Sequence, residues 1–73
     1  SVLWTSLRDV ASDPAVCPAL DAFGADYVLD FGPGEEYPGR WIMPGFTDIE
    51  GQPGFELVDR EGAAALWRVT ACA

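Results

Sequence analysis

Residues 55–72, FELVDREGAAALWRVTAC, decide the fold. Two strand-like runs, Phe55 to Asp59 and Ala64 to Ala71, flank Arg60-Glu61-Gly62, and Gly62 is free to take the positive φ that a short hairpin turn demands. On the last strand Ala65, Trp67, Val69 and Ala71 share one face, while Leu66, Arg68 and Thr70 share the other. The run stops at Cys72, one of two cysteines in the 73 residues. The other is Cys17, so the chain end and a position near the chain start carry the same reactive group.

Upstream of the hairpin the pattern changes period. SVLWTSLRDVAS sets Leu3, Leu7 and Val10 at helical spacing with Trp4 and Ala11 beside them, which predicts a first helix over 2–11. Asp13 precedes a proline and is pushed out of the α region, which ends that helix; Asp13 can then cap the next turn, with Pro14 at its first position. Pro18 lacks an amide hydrogen, so 14–17 read as one turn and a second helix as 18–23, closed by Gly24 as a C-terminal cap. DYVLDFG is the first strand, with Tyr27, Leu29 and Phe31 on one side and Val28 and Asp30 on the other. Between residues 32 and 54 five of the six glycines adjoin a proline, which predicts a long irregular loop with one turn around FTDI. Trp41, Ile42, Met43 and Phe46 favour a loop packed by its own side chains.

The length allows one domain at most, residues 1–73, burying only about 60% of the surface its unfolded chain exposes. The 49% hydrophobic content is enough for a core, which argues against disorder. Four arginines against twelve acids give a net charge of −8, a field that repels nucleic acid and anionic membrane surfaces and suits cations or basic partners. The absence of lysine, with abundant Ala and Gly, goes with a GC-rich bacterial genome. No apolar run approaches the ~18 residues of a membrane span. No signal peptide is visible, and the abrupt start in SVLWTSL and stop in VTACA read as a fragment of something larger.

Two thiols can be metal ligands, a redox couple, buried free cysteines or a disulfide. Metal is disfavoured because the chain has no histidine and no C-x-x-C, and four ligands would be needed. A redox couple normally sits close in sequence. The pair reads as a structural disulfide, with unpaired buried cysteines as the plain alternative. Closing a span of 55 positions removes loop entropy worth roughly 4 kcal/mol, comparable to the whole stability of a domain this small. An oxidising compartment follows. The bridge also suggests a topology. If the second helix packs antiparallel on the first strand, Cys17 lies near that strand's end, and Cys72 ends the last strand. The two strands would then run in the same direction. The expected fold is α+β: a small two-layer sandwich, two short helices on one face of a three-stranded mixed sheet of order 2-3-1, with a C-terminal β-hairpin. The other face would be covered by the long loop or by more of a larger protein.

Few residues invite a chemical role. Asp30, Glu35 and Glu36 in DFGPGEE suggest a calcium site or a carboxylate pair, but their spacing fits no EF-hand, and solvated loop acids are the plainer reading. GPGEEYPG lacks a phosphate-cradling pattern, and its acids would repel phosphate. Tyr37 and Trp41, flanking Arg40, can stack on a sugar or a peptide, although aromatics in small domains are more often core. No histidine is present to activate a serine or threonine. The sequence designates no catalytic residue, no metal ligand and no cofactor.

VCPALDAFGADYVLDFG followed by GFELVDREGAAALWRVTAC resembles the C-terminal extracytoplasmic tail of large actinobacterial multi-pass membrane proteins. These in turn resemble membrane-embedded glycosyltransferases that use lipid-linked sugars. The resemblance covers roughly residues 16–72 and carries over no site residue. It implies a non-catalytic accessory lobe outside the cytoplasm, tethered to the plasma membrane in the full-length protein, packing on the membrane portion of its own chain or binding envelope glycan. The competing expectation is a free-standing secreted binding module or inhibitor, stapled by one disulfide.

Overall fold

The structure, a computed structural model, describes residues 2–32 and 44–72. Helix α1 (Val2–Ser6) tightens into a 3-10 turn at Leu7–Asp9; helix α2 (Val16–Phe23) leads into strand β1 (Tyr27–Asp30). A second 3-10 turn at Pro44–Phe46 precedes strands β2 (Phe55–Glu61) and β3 (Ala64–Val69). The sheet has the order β1-β3-β2, with the hairpin partner β3 in the centre as expected.

The helices differ from expectation at their ends for local reasons. Residues 7–9 are 3-10, not α. In that geometry side chains three apart eclipse, so Leu7 and Val10 both turn into the core, and the Val10 N–H donates to the Leu7 carbonyl at 3.1 Å. Helix α2 begins two residues before Pro18. Pro18 then falls within the first turn, whose N–H groups have no intrahelical acceptor, so its missing hydrogen costs nothing. Asp13 does cap the preceding turn, accepting the Ala15 N–H at 3.0 Å. Gly24 closes α2 in the left-handed region, its N–H donating to the Leu20 and Asp21 carbonyls.

Strands β2 and β3 are joined by a two-residue turn in which Gly62 takes φ 59°. Positive φ at the first central position is the type II′ arrangement, which needs glycine there. The turn lets β2 run two residues past Asp59, to Glu61, while β3 stops at Val69. A register shift between Leu57 and Asp59 marks a bulge in β2.

The sheet is antiparallel throughout, not mixed: Tyr27 pairs with Arg68 and Asp30 with Ala65. The Cys17–Cys72 disulfide is present, with Cα atoms 5.4 Å apart. The expectation failed at one step. The Val69 N–H donates to the Asp26 carbonyl at 2.8 Å, so the end of β3 lies at the start of β1. Cys72 follows three residues later, and Cys17 must therefore sit by the start of β1, not its end. An eight-residue helix is only about 12 Å long, too short to impose the antiparallel packing assumed for it.

Ala65, Trp67 and Val69 of β3 and Val28 of β1 form the inner face and meet Leu7, Val10, Val16 and Leu20 from the helical side. Ile49 and Thr47, from the segment after the second 3-10 turn, are fully enclosed in the same core. Their surroundings are pinned from two sides, by Arg8 to Asp48 (3.3 Å) and Arg60 to Glu50 (2.9 Å). These exposed pairs are worth at most about 1 kcal/mol each and serve mainly to hold the segment in place. Gly45 lies directly against α1. A Cβ there would collide with the Leu3 carbonyl oxygen, so only glycine permits this approach.

Two stability predictions follow from this core. Alkylation without reductant is expected to leave the intact mass of the folded protein unchanged, and two labelled thiols would contradict the bridge. Reduction should remove roughly 4 kcal/mol, read as a large fall in melting temperature. Trp67, 7% exposed on the central strand, should cost about 3–5 kcal/mol as Trp67→Ala in denaturant melts. Its indole nitrogen meets no acceptor among the described residues, so Trp67→Phe should cost clearly less. A loss below about 1 kcal/mol for the alanine variant would place Trp67 on the surface.

A candidate docking groove along the open edge of the sheet

The residues singled out from sequence do not converge. Asp30 ends β1, and its carboxylate accepts the Gly32 N–H at 2.9 Å, shaping the turn that leaves the strand. Glu35, Glu36, Tyr37, Arg40 and Trp41 lie outside the described residues, as do Ile42 and Met43. Cys17 and Cys72 are consumed by the disulfide, which forms one wall of a hollow of about 320 Å³ together with Asp21, Ala25 and Asp26. Among the described residues no three His, Cys, Asp or Glu side chains stand close enough to hold a metal ion. None of their helices is long and apolar enough to cross a membrane.

What the fold does assemble is apolar. Alternation along β1 sends Val28 into the core, so Tyr27, Leu29 and Phe31 are left on the outside. Tyr27 is 55% and Leu29 52% exposed. Phe23, in the last turn of α2, is 78% exposed. A groove of about 260 Å³ runs beside these residues, bounded by Leu3, Phe23, Tyr27, Val28, Leu29 and Phe46. No charged side chain lines it among the described residues. Contiguous exposed apolar surface is a feature of interaction sites, whereas single exposed apolar residues are ordinary.

The groove follows a strand edge that is unpaired among the described residues. Asp26 and Val69 face each other through the hydrogen bond already described, and in an antiparallel ladder such pairs recur at every second residue. Val28 and Asp30 therefore turn their backbone groups toward β3, while Tyr27 and Leu29 turn theirs toward the open side. Among the described residues nothing pairs with that side. The opposite edge of the sheet is different. Strand β2 carries Glu56, Asp59, Arg60 and Glu61 and is bent by its bulge, two devices that discourage further pairing. Its Glu56 carboxylate accepts two hydrogen bonds from Arg68, at 2.8 and 3.0 Å, tying the edge strand to the centre.

Sequence reading grouped Tyr27, Leu29 and Phe31 on one face but gave no sign which face would be covered. Phe23 was hidden as an ordinary helix position. The signal that could have exposed the groove is the run of large apolar residues, Tyr27, Leu29 and Phe31, on the side opposite Val28.

Because Phe23 contributes little to the core, Phe23→Ala is expected to shift the denaturant midpoint by no more than about 0.5 kcal/mol equivalent. A loss above about 2 kcal/mol would show that this side chain holds the fold and is not kept for a partner.

No curated protein and no solved structure matches the chain. A family of unknown function, DUF6541, matches residues 1–71, and the chain belongs to that family.

Proposed function

We propose that this chain is a non-catalytic docking lobe on the extracytoplasmic side of a multi-pass membrane protein. That protein resembles the actinobacterial, glycosyltransferase-like proteins whose closing segments share its sequence pattern. The observation that carries the reading is the apolar groove beside the open edge of β1. Such an edge attracts other chains unless something covers it. The disulfide supports the compartment, since such bonds persist where the surroundings are oxidising.

Of the two partners considered, polypeptide suits the groove better than glycan. A sugar presents many hydroxyls that need hydrogen-bonding side chains in return, and the groove wall offers just the Tyr27 hydroxyl and the Trp4 indole N–H among the described residues. The membrane portion of the same chain, or a protein associated with it, meets that requirement. The isolated chain is accordingly expected to turn over no substrate in a hydrolase and transferase screen.

The test is location and attachment in cells that express the native gene. The reading predicts that an antibody to this chain detects it in the membrane fraction, on a species larger than the chain itself. External protease acting on intact cells should destroy the epitope, and the two cysteines should resist alkylation. A reduced, cytoplasmic product would overturn the reading. A free species of this chain's size in the medium would replace it with the secreted binding module.

A further inference from the structure

We infer that the open edge of β1 takes up an extended peptide segment by strand addition, and that the segment carries a cationic residue at each end of an apolar centre. This rests on the docking reading and specifies the mode and chemistry of the partner. The mode comes from the backbone. Tyr27 and Leu29 present outward N–H and C=O groups, the pattern to which a further antiparallel strand binds. The groove lies on the helix side of that edge, where a side chain from the added strand would enter beside Val28 and Phe23.

The chemistry comes from charge. Asp26 immediately precedes β1 and Asp30 ends it, so two carboxylates stand about 13 Å apart along the strand, one at each end of the two outward-facing residues. By alternation both lie on the side of the sheet that Val28 faces. Neither forms an ion pair among the described residues, where Arg8, Arg60 and Arg68 are engaged by Asp48, Glu50 and Glu56. A five-residue segment laid along β1 places its first and last side chains opposite these acids and its third in the groove. Lysine or arginine at the ends and an aliphatic residue in the centre complete the match.

The same two acids argue against a second copy as the occupant. Pairing two β1 strands antiparallel about Val28 sets Asp26 of each opposite Asp30 of the other, with like charges on directly opposed positions at both ends. The net charge of −8 on each copy adds to the repulsion.

The experiment uses the disulfide-intact chain and two peptides, acetyl-Arg-Thr-Ile-Thr-Arg-amide and its counterpart with glutamate at both ends. Amide exchange and chemical shifts are followed by NMR. The arginine peptide should slow exchange at Tyr27 and Leu29 about tenfold at saturation. The glutamate peptide should bind at least about tenfold more weakly, and added salt should narrow the difference. In the Asp26→Asn, Asp30→Asn double variant the two peptides should bind alike; the asparagine at 30 keeps an oxygen for the Gly32 N–H. Several results would overturn the inference. Equal binding of both peptides by the unaltered chain removes the charge rule. Shifts at Leu3 and Phe23 without protection at Tyr27 and Leu29 remove strand addition but leave the docking groove standing. Self-association that protects the same two amides assigns the edge to a second copy. No effect of either peptide anywhere along the groove overturns both this inference and the docking reading beneath it.

Discussion

The bond between Cys17 and Cys72 joins the first turn of α2 to the residue three beyond β3 and closes a loop of 55 positions. In a larger domain such a bond would add to a core already sufficient for folding. Here the core is one layer of side chains between two short helices and three strands, and its net stability is of the same order as the loop entropy the bond removes. The bond also acts geometrically. It holds the start of α2 at the end of the sheet where β1 begins and β3 ends. The bond alone does not set strand direction; β1 begins at that same end, where the Val69 N–H donates to the Asp26 carbonyl, and so runs antiparallel to β3.

With β3 fixed in the centre, the remaining contacts are local. The hairpin supplies β2, and alternation on β3 supplies Ala65, Trp67 and Val69 to the core. The helical side supplies Leu7, Val10, Val16 and Leu20. The segment after the second 3-10 turn then fills what is left, with Ile49 entirely buried and salt bridges on either side of it. The close approach of Gly45 to the backbone of α1 gives the same segment a second anchor. A segment read from sequence as an irregular loop packed by its own side chains thus provides a part of the core that neither helix reaches.

How much of this was legible depends on the range of the interaction concerned. The hairpin, its turn glycine, the Gly24 cap, the face of Trp67 and the strand order all follow from patterns spanning a few residues, and the disulfide follows from a count of two. Strand direction was misread because it depends on how a short helix crosses a short strand, which no local pattern encodes. Pro18 misled because a proline in the first turn of a helix looks the same in sequence as one that breaks it. Ile49 and Thr47 stand among acids and glycines with no periodicity around them, so their burial had no sequence signature. The groove was illegible for a further reason: β1 turns Val28 inward with Asp26 and Asp30 on the same side, and the more apolar face of DYVLDFG, that of Tyr27, Leu29 and Phe31, is the one left outside.

That choice leaves the two edges of one small sheet in opposite condition. Strand β2 is long, charged and bulged, and its Glu56 is bound to Arg68, so its edge is poorly suited to accept another strand. Strand β1 is short and apolar, with carboxylates only at its ends, and its outward backbone groups, unpaired among the described residues, open beside an apolar groove. If exposed edges were merely tolerated here, both would carry similar protection. A domain with so small a stability margin gains nothing for its own folding from leaving Phe23, Tyr27 and Leu29 in water, since each would add to stability if covered. Under the docking reading proposed above, a covering group from outside the described residues takes them out of water. The terminal acids on β1 restrict which covering groups are admitted, because they oppose self-pairing and favour a strand of the opposite charge.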